Sequence, residues 1–160
     1  MSDRLLNMLG LMRKASSIEI GETNTGIAAR SGKAKLLIVA SDASDNAKSR
    51  ARGFAASKNT LSIQLPFTKE EISSHVGLPG CSMAAITDIG FANAFIKGLS
   101  QEYPDSYAEA AARIEEIFVR AGQRKKEAAA HERNKRNGKR LFYVWRFYRS
   151  INYSRRHFKT

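Results

Sequence analysis

The run Lys35-Leu-Leu-Ile-Val-Ala40 is apolar without interruption and too short to be a helix. A strand with no polar face must be covered on both sides, as happens in a sheet held between helices. A second run of this kind, Met83-Ala-Ala-Ile-Thr87, follows later, and Leu61-Ser-Ile-Gln-Leu65 alternates as a half-buried strand does. Helical spacing fills the gaps between them. Residues 3–15 repeat Leu5, Leu6, Met8, Leu9 and Met12 behind a Ser2/Asp3 cap. Thr23 to Ser31 reads as a second helix, with Gly21 turning the chain before it and Gly32 stopping it. Ser44 to Ser57 reads as a third, and Thr68-Lys-Glu-Glu71 opens a fourth with a capping-box pattern. Asp88 caps a fifth, which carries Phe91, Ala92, Phe95, Ile96 and Leu99. Helices and strands alternate, so the expected fold is α/β, a three-layer α/β/α sandwich.

Charge divides the chain differently from hydrophobicity. Of 160 residues, 27 are Lys or Arg and 15 are Asp or Glu, a formal charge of +12. Residues 1–99 hold 12 basic and 8 acidic side chains, and residues 100–160 hold 15 and 7. From Arg120 onward 14 basic residues are opposed only by Glu127 and Glu132. Residues 1–99 are therefore expected to form the folded domain, and 100–160 a basic extension, helical and then aromatic. The boundary is placed at Ser100-Gln-Glu-Tyr-Pro104, because Pro104 cannot continue a preceding helix.

Several classes of function are excluded. A lone cysteine, Cys81, rules out a disulfide framework and a multi-cysteine zinc site. His75, His131 and His157 lack metal-ligand spacing, so no metal site is expected. The N-terminus lacks the layout of a signal peptide, and no run of about 18 apolar residues occurs. A soluble, cytoplasmic, basic protein is expected, with an acidic polymer as its default partner.

Enzyme chemistry finds little support. Gly21 and Gly26 are wrongly spaced for a phosphate loop and no Lys-Ser/Thr follows them. Asp42 and Asp45 follow a strand, where α/β enzymes place catalytic groups, but capping the helix near Ser44 is the simpler use of them. Cys81 with His75 six residues earlier could form a nucleophile pair, but no third group orients it, and a small packing cysteine is the plainer reading. No catalysis is expected.

Two segments could hold RNA. Gly21-Glu22-Thr23-Asn24-Thr25-Gly26 feeds a helix N-terminus whose unpaired N–H groups attract phosphate, and Thr23, Asn24 and Thr25 add short polar side chains. An ordinary N-cap cluster has the same composition. Arg30, Lys33 and Lys35 stand nearby, as phosphate partners or as solvated surface charges. The second segment, Val76-Gly-Leu78-Pro79-Gly80-Cys81-Ser82, sets a leucine on a stiff loop where it could pack against a splayed base.

The order of Gly10-Leu-Met-Arg-Lys-Ala15, Gly21-Glu22, Ser31-Gly-Lys-Ala-Lys-Leu-Leu-Ile-Val-Ala40, Ser41-Asp-Ala-Ser44 and Ala85-Ile-Thr-Asp-Ile-Gly-Phe-Ala92 resembles the ribosomal-protein superfamily that binds RNA kink-turns, in particular its small bacterial members of the YlxQ type. The resemblance covers residues 3–99. It implies an α/β/α sandwich without catalytic activity or cofactor, and a monomer. The implied partner is a structured RNA, kink-turn or ribosomal RNA, with the ribosome itself as the wider assembly. The strong kink-turn binders carry an Asn-Glu pair and a following Lys at the head of the second helix. The resemblance puts Thr23, Asn24 and Ile27 in those places, and sets Leu78 to Cys81 in the apolar loop that closes over the kink. Each lost charge-assisted hydrogen bond would cost roughly 1.5–3 kcal/mol of kink-turn affinity. A protein-interaction adaptor on the same fold is the alternative reading, and the substrate-positioning half of an RNA-modifying system is a third.

The extension lies outside the resemblance. Residues 105–136 should form a helix, partly docked at its start and solvated later, with Ile114, Ile117 and Phe118 on one side, and Asn137-Gly138 should end it. Beyond it, Lys139-Arg-Leu-Phe-Tyr-Val-Trp-Arg-Phe-Tyr-Arg149 interleaves rings with cations, and Arg155, Arg156 and Lys159 follow. Arg140, Trp145, Arg146 and Arg149 are the candidate RNA contacts. An amphipathic segment that docks on a partner or a membrane surface is also open, as is an end without a specific role.

Overall fold

The computed structural model describes residues 2–156, with the backbone alone for residues 2, 148 and 150–156. Lys159 therefore lies outside the described residues, and so do the side chains of Arg155 and Arg156. In chain order the elements are α1 (Ser2–Lys14), β1 (Ile18–Ile20), α2 (Glu22–Arg30), β2 (Leu36–Val39), α3 (Asp45–Ser57), β3 (Leu61–Gln64), α4 (Lys69–Val76), β4 (Met83–Ile86), α5 (Ile89–Glu102) and α6 (Pro104–Arg156).

The two apolar runs become the central strands. The sheet order is β1-β4-β2-β3, and every residue of β2 and β4 is buried. β4 runs antiparallel to both β1 and β2, whereas β2 and β3 are parallel. The register places Leu36 opposite Ile86 and Ile38 opposite Ala84. That face packs on Leu5, Leu9 and Met12 of α1, on Ile72 and Val76 of α4, and on Phe95, Ile96 and Leu99 of α5. The opposite face shows Leu37 and Ala85 to Ala28, Ala29 and Ala55 of α2 and α3, with Phe54 closing the edge. Helices thus cover both faces, as an all-apolar strand requires. Among the described residues no helix is long and apolar enough to cross a membrane.

Two local features differ from the sequence reading. β1 has only the three residues Ile18–Ile20, too few for a period to register, and it forms by pairing with β4. The helix break expected at Asn137-Gly138 does not occur, since α6 runs through both residues. One interior glycine costs only about 1 kcal/mol relative to alanine, which good helix formers on either side can absorb.

The chain divides into two compact units, Met1–Phe118 and Val119–Thr160. Pro104 does start a new helix, in the first-turn position that suits proline. The opening turns of α6 nevertheless belong with the first unit. Tyr107 and Ile114 are buried in its core, with Ala110 and Ala111 packed against it. The Tyr107 hydroxyl donates to the Gln64 carbonyl at 2.6 Å, and Lys97 pairs with Glu115 at 2.6 Å. Ile114→Ala should therefore cost about 2–5 kcal/mol in urea denaturation. A chain ending at Phe118 should keep the urea midpoint of residues 1–118 in the full protein, whereas one ending at Leu99 should lose much of it.

Candidate nucleic-acid interface

The antiparallel pairing of β1 and β2 with β4 brings three loops to one end of the sheet. The Gly21 N–H donates to the Met83 carbonyl at 3.1 Å, and the Ala40 N–H donates to the Ser82 carbonyl at 2.9 Å. The turn into α2 therefore borders the 77–82 loop, and the end of β2 borders it too. Helices α2, α3 and α4 all start after the C-terminal ends of strands, so their N-termini gather at this end.

Two of those N-termini are closed by side chains. Ser44 Oγ accepts the Ala47 N–H at 3.2 Å at the head of α3. At the head of α4, Thr68 and Glu71 form a reciprocal capping box, and Asp42 Oδ1 accepts the Lys69 N–H at 2.7 Å. Asp42 thus caps α4, the more distant helix, while Asp45 is simply the first residue of α3. Helix α2 is led by Gly21 instead, at φ 91° and ψ 160°, and no side chain caps it. That backbone conformation is open to glycine and strained for other residues. The first N–H groups of α2 are left for solvent or a ligand.

The side chains around this opening fall into distinct roles. Glu22 is ion-paired with Arg50, in the second turn of α3, which ties the head of α2 to that helix. Thr23, Asn24, Ile27 and Arg30 form the exposed face of α2, with Ile27 56% exposed. Asn24 Nδ2 donates to the Ile20 carbonyl at 3.0 Å, so this amide also fastens α2 to β1. Thr25 is not a surface donor: it is fully buried, and its hydroxyl has no hydrogen-bond partner. Arg30 lies over the Phe54 ring, 5.5 Å from its centroid. Lys33 is exposed and Lys35, just before β2, is half-buried, but the fold does not bring them to this opening. The Lys35 N–H donates to the Ile86 carbonyl at 2.7 Å, at the end of β4 opposite to Met83.

In the adjoining loop Leu78 is 39% exposed, and Pro79 and Gly80 are exposed beside it. Cys81 turns inward: its side chain is buried, and its N–H donates to Ser73 Oγ at 3.0 Å. Burial pushes its thiol up to about 11. His75 Nδ1 is engaged with the Glu71 carbonyl at 2.9 Å and with Ser74 Oγ at 3.1 Å. A buried thiol held neutral by desolvation, with the histidine engaged by Glu71 and Ser74, is the opposite of an activated nucleophile. The structure also brings in a cation absent from the sequence reading of the site. A Cβ on Gly77 would stand 3.0 Å from Arg13 Nη1, so the exposed Arg13 side chain flanks the loop. Arg13 lies within the Gly10–Ala15 motif, and that motif was the available signal.

In the second unit Arg140, Trp145, Arg146 and Arg149 are exposed on α6, and the Arg149 guanidinium lies 5.1 Å from the Trp145 ring centroid.

Over 89 residues the chain is 33% identical to the RNA-binding protein YlxQ of Enterococcus faecium, a match covering 56% of this chain and 84% of that protein. The chain belongs to the YlxQ family. The Enterococcus YlxQ is the shorter of the two proteins. No family model matches the chain. Its fold is similar to that of a protein of unknown function from Bacillus halodurans, with a TM-score of 0.53 and 22% identity over 57% of this chain and 91% of that one.

The buried thiol gives this YlxQ-family fold a pH dependence of known sign. The unfolded chain ionises Cys81 near its ordinary value of 9.0, and the folded chain only near 11. Stability from this group is therefore complete below pH 9 and lost as pH rises towards 11. Tyr107, raised above its ordinary 10.0 by burial and by Tyr103, acts in the same direction. Urea midpoints should fall above pH 9, and Cys81→Ala should remove the thiol's share. Alkylation of native Cys81 at pH 9 should be far slower than in urea.

Proposed function

We propose that this chain is a non-catalytic RNA-binding protein that holds a structured RNA at the sheet end between the head of α2 and the 77–82 loop. One observation carries the reading: α2 alone of the three gathered helix heads has no capping side chain, and its Gly21 is bonded to Met83, where the 77–82 loop with its exposed Leu78 enters β4. The Enterococcus relative, named an RNA-binding protein, supports it. Phosphate oxygens would accept from the N–H groups of Glu22, Thr23 and Asn24. Asn24, whose amide nitrogen is held by Ile20, would turn its Oδ1 to a base edge. Leu78 and Pro79 would pack against an unstacked base, and Arg13, beside the same loop, would neutralise the flanking backbone. Lys33 and Lys35, at the other end of the sheet, would not reach it.

The finer reading is a ribosomal or ribosome-associated, cytoplasmic monomer whose RNA is ribosomal or kink-turn-like. With Thr23, Asn24 and Ile27 at the head of α2, its affinity for a standard kink-turn is weakened. A second reading is favoured by one observation: Ile27, more than half exposed on the same face of α2 as Asn24, suits a protein partner better than a phosphate. On that reading the chain is a protein-interaction adaptor.

Two substitutions distinguish these readings. Asn24→Ala should weaken a structured-RNA complex by about 1–3 kcal/mol and cost less than that in urea stability. Ile27→Lys should tighten kink-turn binding by roughly 1.5–3 kcal/mol, as expected for a regained charged hydrogen bond. Losses of stability and binding that match for Asn24→Ala, with no gain from Ile27→Lys, would leave α2 a capped helix facing protein.

A further inference from the structure

The net charge of the chain lies entirely in one of its two units. Met1–Phe118 carries 13 basic and 13 acidic side chains, while Val119–Thr160 carries 14 and 2, which is the whole of the +12. No acidic residue follows Glu132, so the cations beyond it have no carboxylate on their own stretch of helix. In the same stretch Leu141, Phe142, Tyr143, Val144 and Trp145 are between 48% and 69% exposed, and Phe147 is 65% exposed.

The arrangement of these residues limits what can cover them. Successive helical residues are turned by about 100°, so the unbroken run 141–145 distributes apolar groups around the whole helix. A helix that lies in a lipid surface needs the opposite, an apolar face separated from a charged one. Here the Arg149 guanidinium sits on the Trp145 ring itself, and Phe142 lies 6.5 Å from Trp145 between centroids. A protein partner, or a second copy of this strongly cationic unit, would have to bury Arg140 and Arg146 without carboxylates from this segment. A strand of unpaired RNA meets both demands, because its bases stack on rings and its phosphates neutralise the interleaved cations.

We propose that residues 139–149 form a second RNA-binding site, specific for unpaired strands and distinct from the sheet-end site. Trp145 and Phe142 are its stacking platform, and Arg140, Arg146 and Arg149 take the phosphates. It stands whether or not the sheet-end site binds RNA.

Trp145 is the chain's only tryptophan, so its emission reports this segment alone. The test uses the full-length protein and a short unstructured oligouridylate. The RNA should quench Trp145, and Trp145→Ala should weaken binding by about 5- to 150-fold, while Trp145→Phe, which keeps a ring and the helix, holds most of the affinity. Replacing Arg140, Arg146 and Arg149 together by Gln should lower the slope of log affinity against log salt by about 2. Asn24→Ala should leave all of this unchanged, so failure of one site is distinguishable from failure of the other. A hairpin duplex that binds as tightly as oligouridylate would overturn the strand preference. Emission that shifts blue with protein concentration alone would assign the surface to a second copy. A blue shift on phosphatidylglycerol vesicles, with no quenching by oligouridylate, would assign it to lipid. Either result would overturn the proposal.

Discussion

The pairing of β2 with β4 is the constraint on which the rest of this protein depends. Both strands are buried on both faces, so helices must cover each side of the sheet. Because the pair is antiparallel, the chain leaves β2 where it enters β4, and β1 ends there as well. A slip of one residue in this register would exchange Leu36 and Ile38 with Leu37 between the two packed faces. It would also break the bonds from Gly21 and Ala40 to Met83 and Ser82 that hold the candidate site together. Core and site are specified by the same few hydrogen bonds.

Within the site the helix heads show a division between stability and availability. Ser44, Thr68, Glu71 and Asp42 place oxygen atoms where N–H groups would otherwise go unpaired. At α2 that stabilisation, typically about 1 kcal/mol, is absent. The glycine at this point turns the chain through a conformation other residues resist, and it keeps the approach to the helix clear. The hydroxyl of Thr25, buried without a partner one turn in, is a second local cost in the same helix. Among the described residues the other buried side-chain oxygen without a partner is Asn93 Oδ1, in α5.

Most of this was legible in the sequence because it depends on local patterns. Apolar runs gave β2 and β4, and cap residues located the starts of α3, α4 and α5. The features that were not legible depend on contacts distant in sequence. β1 is too short to carry a period and exists by its pairing with β4. Asp42 could be read as a cap, but which helix it caps depends on the 27-residue separation that folding closes. Docking of the first turns of α6 was legible from the side that carries Ile114, but the bond from Tyr107 to the Gln64 carbonyl spans 43 residues and was not. Cys81 was readable as a packing cysteine, but its place at the end of an exposed loop, held by the Ser73 hydroxyl, was not. The likeness to YlxQ-type proteins was readable from motif order alone, but the neighbourhood of Arg13 and Gly77 was not.

The separation of charge has a kinetic meaning. A polyanion exerts no net pull on the neutral first unit at distances beyond the local ionic atmosphere, whereas it draws the cationic second unit from afar. Encounters with a polyanion would therefore begin at the arm. The folded unit is then held at a high local concentration by the peptide chain itself, and it can sample surfaces repeatedly before the arm lets go. Weak individual contacts at the sheet end would suffice under such conditions, and salt would govern how long each search lasts.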